Sequence, residues 1–202
     1  MVKKLIKDLI IYFPALLVPA IVAFFSTPII TRMFSTADYG NYNFLLAIIG
    51  PLYILIGWIN MSVIRFYSVY EKKRQKKDFL NSVMTLAIFI PLIIGLICFL
   101  ILTLLKSHIG IQIYNLVLIG IIIFIISSIF EVLLDILRLK GQTNWYSGFS
   151  IWRSITSIAI GLLLIIYIKF GVSGLLWGTL ISMVLALPFL WKKAIGKFSI
   201  KP

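Results

Sequence analysis

Long apolar runs alternate with short polar segments along the whole chain, and the length of the runs decides the class of structure. Five stretches carry no charge: Leu9–Thr31, Tyr39–Ile64, Phe79–Leu105, Ile109–Phe130 and Phe170–Trp191. A sixth, Gln142–Ile168, is interrupted only by Arg153. Each is long enough to cross a bilayer core of about 30 Å at about 1.5 Å per helical residue. The pattern predicts six transmembrane helices over about 9–32, 42–67, 79–105, 110–136, 144–168 and 171–191. The expected fold is all-α and integral to the membrane, one six-helix bundle over residues 1–202 with no room for a soluble catalytic domain. The connections at Met33–Asn41, Lys106–Gly110 and Lys169–Ser173 are short, so successive spans should be antiparallel neighbours.

The polar segments carry an orientation signal. Fourteen of the nineteen Lys and Arg residues fall in four of them: Lys3, Lys4 and Lys7; the run Lys72 to Lys77; Arg138 and Lys140; and Lys192, Lys193, Lys197 and Lys201. The alternate connections hold only Arg32, Lys106 and Lys169, with His108. Positive residues collect on the cytoplasmic side, so both termini are expected in the cytoplasm, and an even number of spans demands the same. The net charge of +13 would otherwise suggest nucleic acid. Cations confined to loops are better explained by anionic leaflets, which attract each with on the order of 1 kcal/mol. Only 12% of residues are charged and mean hydropathy is +1.10, so the solvent of this chain is largely lipid. Lys3, Lys4 and Lys7 resemble the start of a signal peptide, but the following run is too long and lacks a small-residue cleavage site. It reads as a retained first span. Cys98 is the single cysteine, lies mid-span, and reads as a packing residue.

Prolines and glycines refine the helices. Pro14, Pro19 and Pro28 all fall in the first span, which is therefore expected to bend or break locally. Broken helices are tolerated where the freed backbone is buried or lines a cavity. Gly174 and Gly178 open the sixth span at the spacing that lets another helix approach closely, most often within one chain.

Charges inside spans are the candidates for chemistry, since each costs from about 2.5 to more than 10 kcal/mol at depth unless it pairs, snorkels or meets water. Glu131, Asp135 and Arg138 share one helical face. Asp135 and Arg138 suit a local pair at the helix end, while Glu131 lies a turn deeper and is a functional candidate. Arg153 lies within the fifth span and could pair with Glu131, as a structural bridge or as part of a binding site. Arg65 follows Trp58, Asn60 and Ser62, and could snorkel or offer a cation to an anionic substrate. Arg32 ends the first span on the outer side. Catalytic signatures are missing: one His, no Gly-rich phosphate loop, and no aspartate cluster for Mg²⁺. No cofactor is expected, and coupling to an ion gradient stays open.

Several segments together resemble one family. The first is Thr31-Arg32-Met33-Phe34-Ser35-Thr36-Ala37-Asp38-Tyr39-Gly40-Asn41-Tyr42, followed by Val63-Ile64-Arg65-Phe66-Tyr67. Then come Arg138-Leu139-Lys140-Gly141-Gln142 leading into Trp145-Tyr146, and Phe170-Gly171-Val172-Ser173-Gly174-Leu175-Leu176-Trp177-Gly178. Their order and spacing resemble polysaccharide-exporting flippases, the Wzx-like branch of the MATE-related superfamily. The resemblance implies two six-helix lobes that rock around a central cavity in a bacterial cytoplasmic membrane. They would move undecaprenyl-diphosphate-linked oligosaccharide, such as O-antigen or capsule repeat units, to the outer leaflet. It makes Arg32 and Arg65 candidate cavity cations, with Asn60, Glu131 and Arg153 as further polar groups. This chain matches one lobe, so a second six-helix lobe or partner chain is implied, beside membrane lipids. A scaffold subunit of an envelope assembly complex and a membrane enzyme acting on lipid head groups are the alternatives.

Overall fold

The computed structural model describes the backbone of residues 2–196 and the side chains of residues 12–196. Lys3, Lys4, Lys7, Lys197 and Lys201, used above for orientation, lie outside the described side chains. The described residues form six helices and no strand: α1 (Val2–Met33), α2 (Thr36–Lys72), α3 (Lys76–Leu104), α4 (Ile111–Leu139), α5 (Thr143–Ile168) and α6 (Ser173–Ala194). All six are long and apolar enough to cross a membrane, as in a multi-pass membrane protein. Several run past the apolar windows. α2 begins in the polar turn and continues to Lys72, because helical hydrogen bonding does not stop at the bilayer surface.

α4 is the axis of the bundle. Its sequence is apolar on every side apart from a few residues, which suits a buried helix, and it packs on α2, α3, α5 and α6. Phe124, Phe130, Leu133, Ile136 and Leu137 are fully or almost fully enclosed. Lipid cannot favour helix association by burying apolar surface, so close packing has to do so. Small residues supply it: Gly120 of α4 receives Leu45 and Ile49 of α2, and Gly95 of α3 receives Ile121 and Ile125 of α4. α5 and α6 form the most extensive pair. There a Cβ on Gly178 would run into the backbone of Ser157 and Gly161. The Gly174 and Gly178 spacing thus serves packing within this chain.

α1 has its extensive contact with α5 alone. It runs unbroken through Pro14, Pro19 and Pro28, so the expected break is absent. Hydroxyls explain part of this. Pro19 cannot donate to the Ala15 carbonyl, and Ser150 Oγ of α5 donates to that oxygen instead at 3.4 Å. Thr27 Oγ1 and Ser26 Oγ both donate to the Ala23 carbonyl, at 2.7 and 3.2 Å, which is not a carbonyl that a proline frees.

The two ends of the bundle differ in charge. At one end Ser35 caps α2, its Oγ accepting from the Asp38 amide at 3.1 Å, and Gln112 Nε2 of α4 donates to Asp38 Oδ1 at 2.8 Å. The Asp38-Tyr39-Gly40 turn is therefore a helix start tied to α4. At the other end Lys76 pairs with Glu71 at 2.8 Å, Lys140 Nζ donates to the Ala194 carbonyl at 2.5 Å, and Lys193 lies over the Trp145 ring. Burial, with Lys76 as the lesser cause, draws the Lys140 ammonium below the ordinary lysine range. The basic segments within the described residues thus gather at one end.

Gly178→Ala should lower stability by about 1–3 kcal/mol, since the methyl meets fixed backbone rather than a yielding side chain. Gly148→Ala, where nothing stands within 4 Å of the added carbon, should have little effect. Thermal unfolding of the two variants in detergent checks the contrast.

Candidate functional site

A polar cavity of about 440 Å³ opens between α2, α4, α5 and α6, near the middle of their lengths. α2 contributes Tyr53, Gly57 and Asn60, at i, i+4 and i+7 on one face. α4 contributes Ser127, Ser128 and Glu131, α5 contributes Arg153, and α6 contributes Met183. Counting about 1.5 Å per residue, Glu131, Arg153 and Ser127 lie roughly 12–18 Å along their helices from the basic ends of α4 and α5.

An ion pair lines the cavity. Arg153 Nη1 donates to Glu131 Oε1, and the guanidinium lies 5.3 Å from the centre of the Phe130 ring. Phe130 itself is fully buried, so the pair stands against a dry wall on one side. The other side is open: the Arg153 side chain keeps 28% of its accessible surface and Glu131 keeps 40%. An Arg presents five N–H donors, and the contact with Glu131 uses one nitrogen of the fork. The remaining donors are the groups that could meet an oxyanion.

Neighbouring hydroxyls hold this arrangement in register. The Tyr53 and Ser127 hydroxyls bond at 2.6 Å, which fixes α2 to α4 beside the pair. Ser128 Oγ turns inward and donates to the Phe124 carbonyl at 2.6 Å. Behind Arg153, the Ser182 hydroxyl of α6 bonds the Thr156 hydroxyl and reaches the Arg153 carbonyl at 3.5 Å. Position and rotation of the Arg153 stem are thus set from α6, not only from its carboxylate partner.

Of the five candidates read from sequence, the structure brings together Asn60, Glu131 and Arg153. Arg32 stands apart, exposed in the last turn of α1 at the opposite end from the basic loops. Arg65 is also exposed, roughly a third of a turn round α2 from the Tyr53–Asn60 face. Asp135 is half-buried one turn nearer the basic end, and Arg138 lies over the Tyr12 ring rather than pairing with Asp135. Tyr53, Gly57, Ser127 and Ser128 were missed. Their signal was the helical spacing, Tyr53 and Gly57 leading to Asn60, and Ser127 one turn before Glu131. Among the described residues no three His, Cys, Asp or Glu side chains gather as metal ligands.

No family model, curated protein or solved structure matches this chain.

Glu131→Gln and Arg153→Met should each destabilise the protein, and the double variant should lose less than the sum. A coupling of about 0.5–3 kcal/mol is expected for two groups in direct contact. Thermal unfolding of the four proteins in one detergent closes the cycle; strict additivity would mean the pair contributes nothing to the fold.

Proposed function

We propose that the chain is one lobe of a membrane flippase that carries a lipid-linked anionic head group across a bacterial cytoplasmic membrane. The substrate class that fits best is undecaprenyl-diphosphate-linked oligosaccharide, and the mechanism is alternating access together with a second six-helix lobe or partner chain. The carrying observation is the Arg153–Glu131 pair at the wall of an open polar cavity, near the middle of helices long and apolar enough to cross a membrane. Ionisable groups at that depth are expensive and mark ion or substrate paths. A diphosphate needs planar, charge-assisted donors, which a guanidinium supplies and a lysine supplies less well. Its hydrocarbon tail needs no path, because it stays among lipids while only the head crosses. The resemblance of the Arg32 to Tyr42 segment and of the Phe170 to Gly178 segment to polysaccharide flippases points to the same substrate. In this reading Arg153 binds the head group, Glu131 holds the guanidinium when the cavity is empty, and Asn60 and Tyr53 line the path. Arg32 and Arg65 act at the rims.

Arg153→Ala should reduce glycan export at least about tenfold at normal membrane levels, since one charge-assisted bond to phosphate is worth about 1.5–3 kcal/mol. Arg65→Gln should reduce it less. Export at the wild-type rate in Arg153→Ala cells would sink this reading. Both termini and the Lys72–Lys77 loop are assigned to the cytoplasm. In a Cys98→Ser background, Lys73→Cys should react with an impermeant maleimide in inverted vesicles and not in intact cells; the reverse would invert the topology.

A further inference from the structure

A second hollow lies beside the ion-pair cavity, and its chemistry is different. It has a volume of about 370 Å³ and sits between α1 and α2 over the surface of α5. That volume falls within the range of about 300–1,000 Å³ typical of small-molecule sites. The hollow follows the α2 face that continues into the first cavity: Tyr39, Asn43 and Leu46 here, then Tyr53, Gly57 and Asn60 there. On α5 the two are adjacent, Arg153 lining one and Ser154 the other.

None of the residues lining this hollow is acidic, basic or His, although many are polar. Ser26 and Thr27 donate to the Ala23 carbonyl, and Ser157 Oγ donates to the Ser154 carbonyl at 3.1 Å. Their hydrogens are committed to their own helices, so what these hydroxyls still offer is lone pairs. Ser154 Oγ is shut from solvent and has no hydrogen-bond partner. Asn43 offers an amide that both donates and accepts. The Tyr39 and Tyr42 rings lie 6.3 Å apart at 32° and add flat apolar surface. A hydrocarbon chain would leave these polar groups unanswered, and a phosphate would find no cation. An uncharged ligand rich in hydroxyl donors, with one apolar C–H face, answers those of them that face the hollow.

We propose that this hollow is a subsite for a neutral sugar ring, distinct from the charged cavity at Arg153. The preference for a neutral polyol follows from the hollow itself. The further step, that the ring is the first sugar attached to a diphosphate held at Arg153, rests on the proposed function above.

The test uses two soluble probes on the purified full chain in lipid nanodiscs. One is the neutral trimer of N-acetylglucosamine, followed by saturation-transfer NMR; the other is farnesyl diphosphate, followed by calorimetry. Asn43→Leu and Thr27→Val alter exposed side chains, and unchanged thermal unfolding confirms that each is folded. The trimer should bind the wild type, weaken about threefold to tenfold in each variant, and bind Arg153→Ala as it binds the wild type. Farnesyl diphosphate should show the opposite pattern, weakened by Arg153→Ala and indifferent to Asn43→Leu. A trimer that gives no transfer, or equal transfer in wild type and Asn43→Leu, overturns the subsite. Trimer binding as expected without farnesyl diphosphate binding leaves the subsite standing and removes the diphosphate reading instead.

Discussion

Two opposite charges placed within apolar, membrane-length helices have to stay together, and much of the bundle is arranged to keep them so. Alone, Arg153 or Glu131 would cost at least about 2.5 kcal/mol at the bilayer centre. α4 and α5, which carry them, share less contact than either shares with α6. Their register is therefore held largely from outside the pair. α6 is drawn against α5 by Gly178 and against α4 by its apolar face, and the Ser182 hydroxyl reaches the Thr156 hydroxyl and the Arg153 carbonyl. On the far side Tyr53 fixes α2 to Ser127, one turn from Glu131. The small residues that permit close packing and the hydroxyls that fix rotation serve the same end.

The peripheral helices show the complementary rule, that backbone groups inside a bilayer must be answered within the protein. α1 contains three prolines, which should free three carbonyls, and it leans on α5 alone. Ser150 answers the carbonyl freed by Pro19 and in doing so ties α1 to α5 at the level of Ala15. Tyr39 and Tyr42 of α2 pack towards Ile30 of α1 and Ile165 of α5, and the second hollow lies between α1 and α2 beside them.

How much of this could be read from sequence depends on whether the signal was local. Six helices were legible because a bilayer dictates run length, and the Glu131–Arg153 pairing because two charges break otherwise apolar runs. Helix ends were less so: Thr36 and Lys72 extend α2 beyond its apolar window because caps such as Ser35 sit in the polar turns. The break expected in α1 is absent, and one reason is non-local, since the hydroxyl that answers the carbonyl freed by Pro19 lies 135 residues away. Tyr53 and Ser127 escaped notice because a Tyr or a Ser in an apolar run is ordinary until another helix brings the two within 2.6 Å. Arg32 and Arg65 were grouped with Arg153 because sequence gives the depth of a charge but not the direction its helix faces.

The exposure of the pair separates it from a sealed structural bridge. In a dry interior, a pair gains from its mutual attraction only what good geometry and extra hydrogen bonds return, and removing one partner strands the other. Here both side chains border a polar cavity, Arg153 at 28% and Glu131 at 40% of their accessible surface, so protein does not enclose them on every side. A pair left partly open is held less tightly than a sealed one, and under the proposed function an oxyanion would compete with Glu131 for the guanidinium without having to break a buried bond. The guanidinium is backed by the Phe130 ring, which holds its plane without using any N–H donor. Such a cation is fixed in position yet exchangeable in partner. The transport role proposed above would use that combination, because a carrier that binds its cargo must also release it on the other side.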